Sequence, residues 1–234
     1  MARSGASQLK VLVIDVGGSH VKVRASGHEA VRKVDSGPTM TAAQMVAAAK
    51  SMALDWDYDV VSIGYPGAVH GDRPTAEPRN LGTGWVDFDF AKVFGCPVKM
   101  INDASMQALG SYDGGRMLFL GLGTGLGSAL IADGVLAPLE LAHLPYRKRK
   151  TFEDYVGARG RKRRGKKKWR KHVAAVCAIL RSAMQAEYVV IGGGGVKRLH
   201  ELPAGARRGD NANAFLGGFR MWQDLRPHVS AGAA

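Results

Sequence analysis

A carboxylate at Asp103 could act as a general base. It follows Pro97-Val98-Lys99-Met100-Ile101, a short β-branched run with the length and flanks of a buried strand. It precedes Ser105 to Tyr112, which reads as a helix. A side chain at such a handover can point into the crevice at the carboxyl end of a sheet, the usual ligand site of α/β folds. There a carboxylate can take a proton from a hydroxyl. The same residue could serve only as a helix N-cap. Three glycine-rich turns, each after a strand, set its context. Backbone N–H groups converge on a phosphate only where the chain turns tightly without Cβ atoms. The stretch Asp15 to Lys22 holds Gly17, Gly18 and Ser19. It adds a carboxylate for a magnesium-bound water, a hydroxyl and an ammonium. The Gly121 to Ser128 loop holds Gly123, Thr124 and Gly125, and the Gly192 to Gly195 run is centred on Gly193 and Gly194. Any one glycine pair could be a plain hairpin. The three in order, with Asn102-Asp103 between the first two, point to phosphoryl transfer.

The elements that must position these residues follow from periodicity. Lys10 to Val16 is an apolar strand, and Val21 to Arg24 and Glu29 to Val34 alternate as half-buried strands do. Thr41 with Gln44 makes a capping box for a helix reaching about Leu54. Val60 to Ile63 is a strand ending in the turn Gly64-Tyr65-Pro66-Gly67. A loop-rich stretch runs to Val86, and a short helix from Phe88 to Phe94 leads into the strand before Asp103. Met117 to Leu122, Ala129 to Ile131 and Val135-Leu136 form a meander. Thr151 to Tyr155 is a helical turn, and His172 to Met184 is a helix with Val173, Val176, Leu180 and Met184 along one face. Tyr188 to Ile191 is a strand, Asn213 to Trp222 a closing helix, and the tail beyond Asp224 reads as disordered. No internal repeat is visible by direct identity. The expected architecture is α/β, with two sheet-bearing halves meeting near Asp103.

A chain of 234 residues with 46% hydrophobic content can bury a real core. No apolar run approaches a membrane span, and Met1 to Lys10 has no apolar core of a secretory signal. Cys96 and Cys177 stand apart, so neither a structural zinc nor a disulfide framework is expected, and a reducing cytoplasm fits. The net charge of +13 is concentrated in residues 147–171, where 14 Lys/Arg face Glu153 and Asp154. The rest of the chain is nearly balanced. Such a run implies a polyanionic partner, or else a solvated or disordered basic loop. Trp169 is the one aromatic in its densest part, which is thin support for single-stranded nucleic acid.

These motifs resemble the ROK family of sugar kinases, and within it the polyphosphate glucokinase branch, from about Val11 to Gly218. The resemblance implies a two-lobed actin/hexokinase-type (ribonuclease H-like) fold. Its lobes would span 1–102, joined by a C-terminal helix at 213–225, and 103–212, carrying the basic segment. It implies that Asp15 to Lys22 and Gly123, Thr124 and Gly125 bind donor phosphates. Gly193 and Gly194 fall in the adenosine-side motif, and Asn211 to Gly217 in the helix coupling the lobes. On the sugar side it implies that Asp103 accepts the proton of the 6-hydroxyl beside Asn102. Glu140 and His143, in Glu140-Leu141-Ala142-His143, would hold hydroxyls near the anomeric carbon. Glu153, Gly67 and Asn80 would complete the pocket. Ala142 departs from the family's glycine, and the cysteines that make this histidine a zinc ligand in many members are absent. His143 could be a surface histidine and Glu153 a local counter-ion.

The resulting expectation is an enzyme that moves a phosphoryl group from inorganic polyphosphate, or ATP, to the 6-hydroxyl of glucose. Magnesium would be held through water by Asp15, and the polyphosphate by Arg161, Lys162, Arg163, Arg164, Lys166, Lys167 and Lys168. A cytoplasmic homodimer is expected, with no membrane partner and no nucleic acid. The alternatives are an ATP-dependent glucokinase or amino-sugar kinase of the same family, and a non-catalytic relative that binds RNA or another polyanion.

Overall fold

The computed structural model describes residues 9–225. The first eight residues, with most of the stretch expected to lack a secretory signal, and the tail from 226 onward, expected to be disordered, lie outside that range. The chain divides between Asp103 and Ala104 into two compact units. Each is built on one five-stranded sheet.

In the first unit β1 (Val11–Val16), β2 (His20–Ala25) and β3 (Arg32–Asp35) form an antiparallel meander. Helix α1 (Ala42–Met52) follows, opened by the expected capping box of Thr41 and Gln44. Then β4 (Val60–Tyr65) pairs parallel to β1. A small ribbon, β5 (Val69–His70) and β6 (Arg73–Pro74), and the short helix α2 (Phe90–Phe94) lead to β7 (Val98–Asn102), parallel to β4. Asp89 caps α2 by accepting from the Lys92 N–H, which moves the helix start two residues past the expected Phe88. The inward positions of β2, Val21, Val23 and Ala25, are fully buried, as alternation requires. They pack with Leu12, Ile14, Met45, Ile63 and Trp85 in one core.

Helix α3 (Asp103–Ser111) begins directly after β7, two residues earlier than its sequence signal. In the second unit β8 (Arg116–Leu122), β9 (Leu126–Ala132) and β10 (Val135–Leu139) make a second meander. A hairpin of β11 (Pro145–Arg147) and β12 (Lys150–Thr151) turns through Lys148 and Arg149, both with positive φ. Helix α4 (Phe152–Val156) and helix α5 (Ala158–Ala183) come next. Strand β13 (Tyr188–Gly192) pairs parallel to β8, β14 (Ala206–Arg208) pairs parallel to β13, and α6 (Asn213–Arg220) closes the unit. The face of α5 bearing Val173, Val176 and Leu180 is buried against Leu118, Leu120, Val189 and Ile191.

The two sheets share one plan: a three-strand meander, then two strands parallel to its first. The repetition lies in the path of the chain and leaves no trace as residue identity. Among the described residues no helix is long and apolar enough to cross a membrane.

Candidate active site

The parallel ladder of the first unit aligns the candidates. Asp15 is level with Gly64, and Gly64 with Ile101. Asp15 and the Asn102-Asp103 pair therefore lie at one carboxyl-end edge, two strand spacings or roughly 10 Å apart. Across the antiparallel pair Asp15 faces Lys22, and Lys22 Nζ donates to Asp15 Oδ2 at 3.1 Å. The following turn is tied at both ends. Gly17 N–H donates to the His20 carbonyl at 3.0 Å, and Ser36 Oγ–H to the Gly17 carbonyl at 2.6 Å. A Cβ on Gly18 would come within 3.1 Å of Asn80 Cβ, so the structure sets Asn80 against this turn.

At the neighbouring strand ends Asn102 Nδ2 donates to the Gly67 carbonyl at 3.0 Å. Gly67 lies against the Tyr65 ring, where a Cβ would sit 2.7 Å from Cε1. Tyr65 is buried with its hydroxyl on the Ala76 carbonyl, and burial pushes that phenol well above its usual range. Asp103 occupies the first turn of α3, where the helix dipole favours a carboxylate. Ala104 next to it is met by Gly127 of β9: a Cβ there would approach Ala104 Cβ to 2.8 Å.

One residue that the sequence reading passed over organises this region. The Glu77 carboxylate accepts the N–H groups of Gly84, Trp85 and Val86 and so closes the loop that carries Asn80. Its only signal is a carboxylate inside a stretch rich in Pro and Gly, where backbone donors have no ladder to join.

The second unit gathers the other candidates. Leu122 pairs with Leu126, leaving Gly123, Thr124 and Gly125 as the turn, with Gly123 N–H on the Gly125 carbonyl at 3.1 Å. Glu153 Oε2 accepts the Leu126 N–H at 3.3 Å, and any Cβ on Gly125 would collide with it. Gly193, at φ 76°, and Gly195 fold onto the same turn, where Cβ atoms would lie 2.6 and 2.8 Å from the Leu122 carbonyl oxygen. Gly195 N–H donates to that oxygen at 2.7 Å. The Gly194 carbonyl accepts from Arg198. Thr124, Gly125, Glu153, Gly193 and Gly194 thus form one cluster.

The Glu140 to His143 segment reaches this cluster through backbone: Glu153 N–H donates to the Ala142 carbonyl at 3.0 Å. Ala142 is buried. Glu140 and His143 are mostly exposed and face each other at 3.7 Å.

The basic run is ordered and is no loop: Arg147 to Lys150 belong to the β11–β12 hairpin, and the cations from Arg159 to Lys171 lie on α5. Helix α5 starts at Ala158, whose N–H donates to the Thr124 carbonyl at 3.1 Å. Trp169 is 1% exposed, its Nε1–H on the Val156 carbonyl at 2.6 Å, so it presents no face for base stacking. Arg163 and Arg164 turn toward the Asp154 carbonyl, and Arg164 also lies 3.6 Å over the Tyr155 ring. Arg161, Lys162 and Lys166 line an open pocket together with Arg159. Lys167 and Lys168 are exposed. Among the described residues no three His, Cys, Asp or Glu side chains cluster as metal ligands.

The ROK family profile matches residues 5–138, a span that includes Asp15, Asn102-Asp103 and Gly123 to Gly125 and stops short of Glu140. The polyphosphate glucokinase of Mycobacterium tuberculosis is 29% identical over 210 residues, covering 77% of this chain and 76% of that protein. Among solved structures, the inorganic polyphosphate/ATP-glucomannokinase of Arthrobacter sp. strain KM superposes with a TM-score of 0.76 at 22% identity, covering 91% of this chain and 98% of that one. A ROK family glucokinase from Streptomyces griseus, solved with glucose and AMPPNP, gives 0.71 at 18% identity over 91% and 98%. The structural likenesses show an actin/hexokinase-type fold. With its profile matched over more than half the chain, this protein belongs to the ROK family.

Proposed function

We propose that the chain is a sugar kinase that transfers the terminal phosphoryl group of inorganic polyphosphate to the 6-hydroxyl of glucose. The observation that carries this reading is the shared edge of β1, β4 and β7, which brings Asp15, Asn102 and Asp103 together beside the Gly17-Gly18 turn. Asp103 takes the proton from O6 as the O6–P bond forms and the bridging P–O bond breaks. The leaving group is polyphosphate shortened by one unit. Asn102, oriented by the Gly67 carbonyl, holds the sugar ring. Glu153 orders the Gly123 to Gly125 turn, whose Thr124 and Gly125 N–H groups face the donor's phosphates. Glu140 and His143 bind ring hydroxyls. Phosphoryl transfer depends on such positioning and charge neutralisation more than on covalent help.

The residues fit a magnesium ion of the kind this chemistry uses. Mg²⁺ keeps several waters and needs one or two carboxylates plus substrate phosphates, and Asp15, held by Lys22, is one such carboxylate at the phosphate turn. Bound there through water, magnesium would offset charge on the donor's oxygens.

Two observations favour polyphosphate over ATP as the donor. The start of the basic helix is hydrogen-bonded to the phosphate turn through Ala158 and Thr124, and the 29% identical relative is a polyphosphate glucokinase. The burial of Trp169 argues against RNA. The test is glucose 6-phosphate formation with magnesium, comparing long-chain polyphosphate with ATP from low to moderate salt. Turnover with polyphosphate that falls steeply with salt is expected. Turnover with ATP alone would leave the kinase and remove the donor assignment. No turnover with either donor, across several hexoses, would point to a binding protein.

A further inference from the structure

Helix α5 breaks its own geometry at one residue. Gly165 has φ 74° and ψ 160°, in the region that essentially only glycine occupies. No atom lies within 4 Å of the position a Cβ would take, so the backbone and not the available space demands glycine. Both sides of the break are braced. Trp169 anchors the second segment to the Val156 carbonyl, and Arg164 anchors the first to the Asp154 carbonyl at 2.8 Å.

The break shapes an open pocket of about 430 Å³ lined by Ala158, Arg159, Arg161, Lys162, Gly165 and Lys166. Four lining residues are cations and none is a carboxylate. None of the four is ion-paired among the described residues. Gathering like charges without acids costs free energy, and a polyanion that displaces their counter-ions offsets that cost. The pocket adjoins the phosphate turn through one of its own lining residues, because Ala158 donates to the Thr124 carbonyl.

We infer that this pocket holds phosphate groups of the donor chain beyond the one transferred, an inference that rests on the polyphosphate reading. Arg159, Lys162 and Lys166 are the ligands, and Arg161 is steered by the Trp169 ring, 5.9 Å from its centre. Arg163 and Arg164 serve as braces. The ligand class is linear inorganic polyphosphate longer than the triphosphate of ATP, and Gly165, which lines the pocket at a backbone geometry that a residue with a Cβ rarely adopts, sets the pocket's shape.

The experiment measures glucose phosphorylation by the full chain with long-chain polyphosphate, tripolyphosphate and ATP in turn. The variants are Arg159→Gln/Lys162→Gln and Gly165→Ala, with circular dichroism melting of each. The double variant is expected to raise KM for long-chain polyphosphate about tenfold more than KM for ATP or tripolyphosphate. The slope of log kcat/KM against log salt should fall by about two, one for each phosphate contact removed. Gly165→Ala should reproduce the selective rise. Should Gly165→Ala fail to fold, the double variant decides alone, since both its side chains are exposed. Equal changes for all donors, or none for the long chain, would overturn the pocket. A wild-type enzyme that uses ATP and not polyphosphate would instead overturn the donor reading beneath it.

Discussion

Gly67 shows how much a single position can constrain. Its carbonyl holds Asn102, and its Cα lies so close to the pinned ring of Tyr65 that a methyl group would sit 2.7 Å from Cε1. Gly67→Ala is expected to push the turn away from Asn102, raise KM for the sugar several-fold and cost about 1–3 kcal/mol of stability. Steady-state kinetics beside urea unfolding would check both. Residue types made Asp15, Asn102, Asp103 and the glycine turns legible in the sequence, because chemistry at a strand end needs few kinds of side chain. Glu77 was not legible. Its role depends on three backbone donors 7 to 9 residues onward, and no periodicity announces such a loop. Nor could sequence separate Arg163 and Arg164, which brace, from Arg159 and Lys162, which face open space.

At the scale of elements, α3 carries Asp103 at one end and is gripped at the other. Arg220 Nη1 donates to the carbonyls of Leu109 and Tyr112, at 2.7 and 2.9 Å. Gly110 and Gly217 let α3 and α6 touch backbone to backbone, and a Cβ on Gly217 would overlap the Met106 carbonyl. Gly217→Ala is therefore expected to destabilise the second unit by at least about 1–3 kcal/mol, read from chemical denaturation. Periodicity placed most strands and the apolar face of α5 correctly. It lost the N-terminal half of α5, because a run of Lys and Arg broken by glycine carries no apolar stripe. The aromatic group of Tyr146, Tyr155 and His172 joins the β11–β12 hairpin to that helix. Burial, then the charges of Arg164 and Arg147, hold the His172 imidazole below its ordinary pKa. The unfolded chain thus binds this proton more readily, and stability rises with pH below about 6.5, being lost as pH falls through the folded value. His172→Gln should flatten the melting midpoint between pH 5 and 7, and an unchanged slope would contradict this assignment.

For the whole molecule, the sequence shows no repeat by direct identity, yet the chain lays down the same five-strand order twice. Strand order is fixed by burial pattern and connection, which many residue sets satisfy. The charge is as unevenly placed in the structure as in the sequence, with the basic helix hydrogen-bonded to the Gly123 to Gly125 turn of its own unit. Polyphosphate-driven turnover should consequently lose far more activity than ATP-driven turnover between about 50 and 200 mM salt. Parallel salt curves for the two donors would show that the helix takes no part in donor binding.

The most direct test of the central claim is the rate of glucose 6-phosphate formation from glucose, magnesium and long-chain polyphosphate by the wild-type chain and by Asp103→Asn. Product is expected from the wild type, with a fall in kcat of about 10²–10⁴-fold in the variant and the fold retained because asparagine keeps the side chain's size. Absence of glucose 6-phosphate from the wild type with polyphosphate and with ATP, or an undiminished rate in Asp103→Asn, would contradict it.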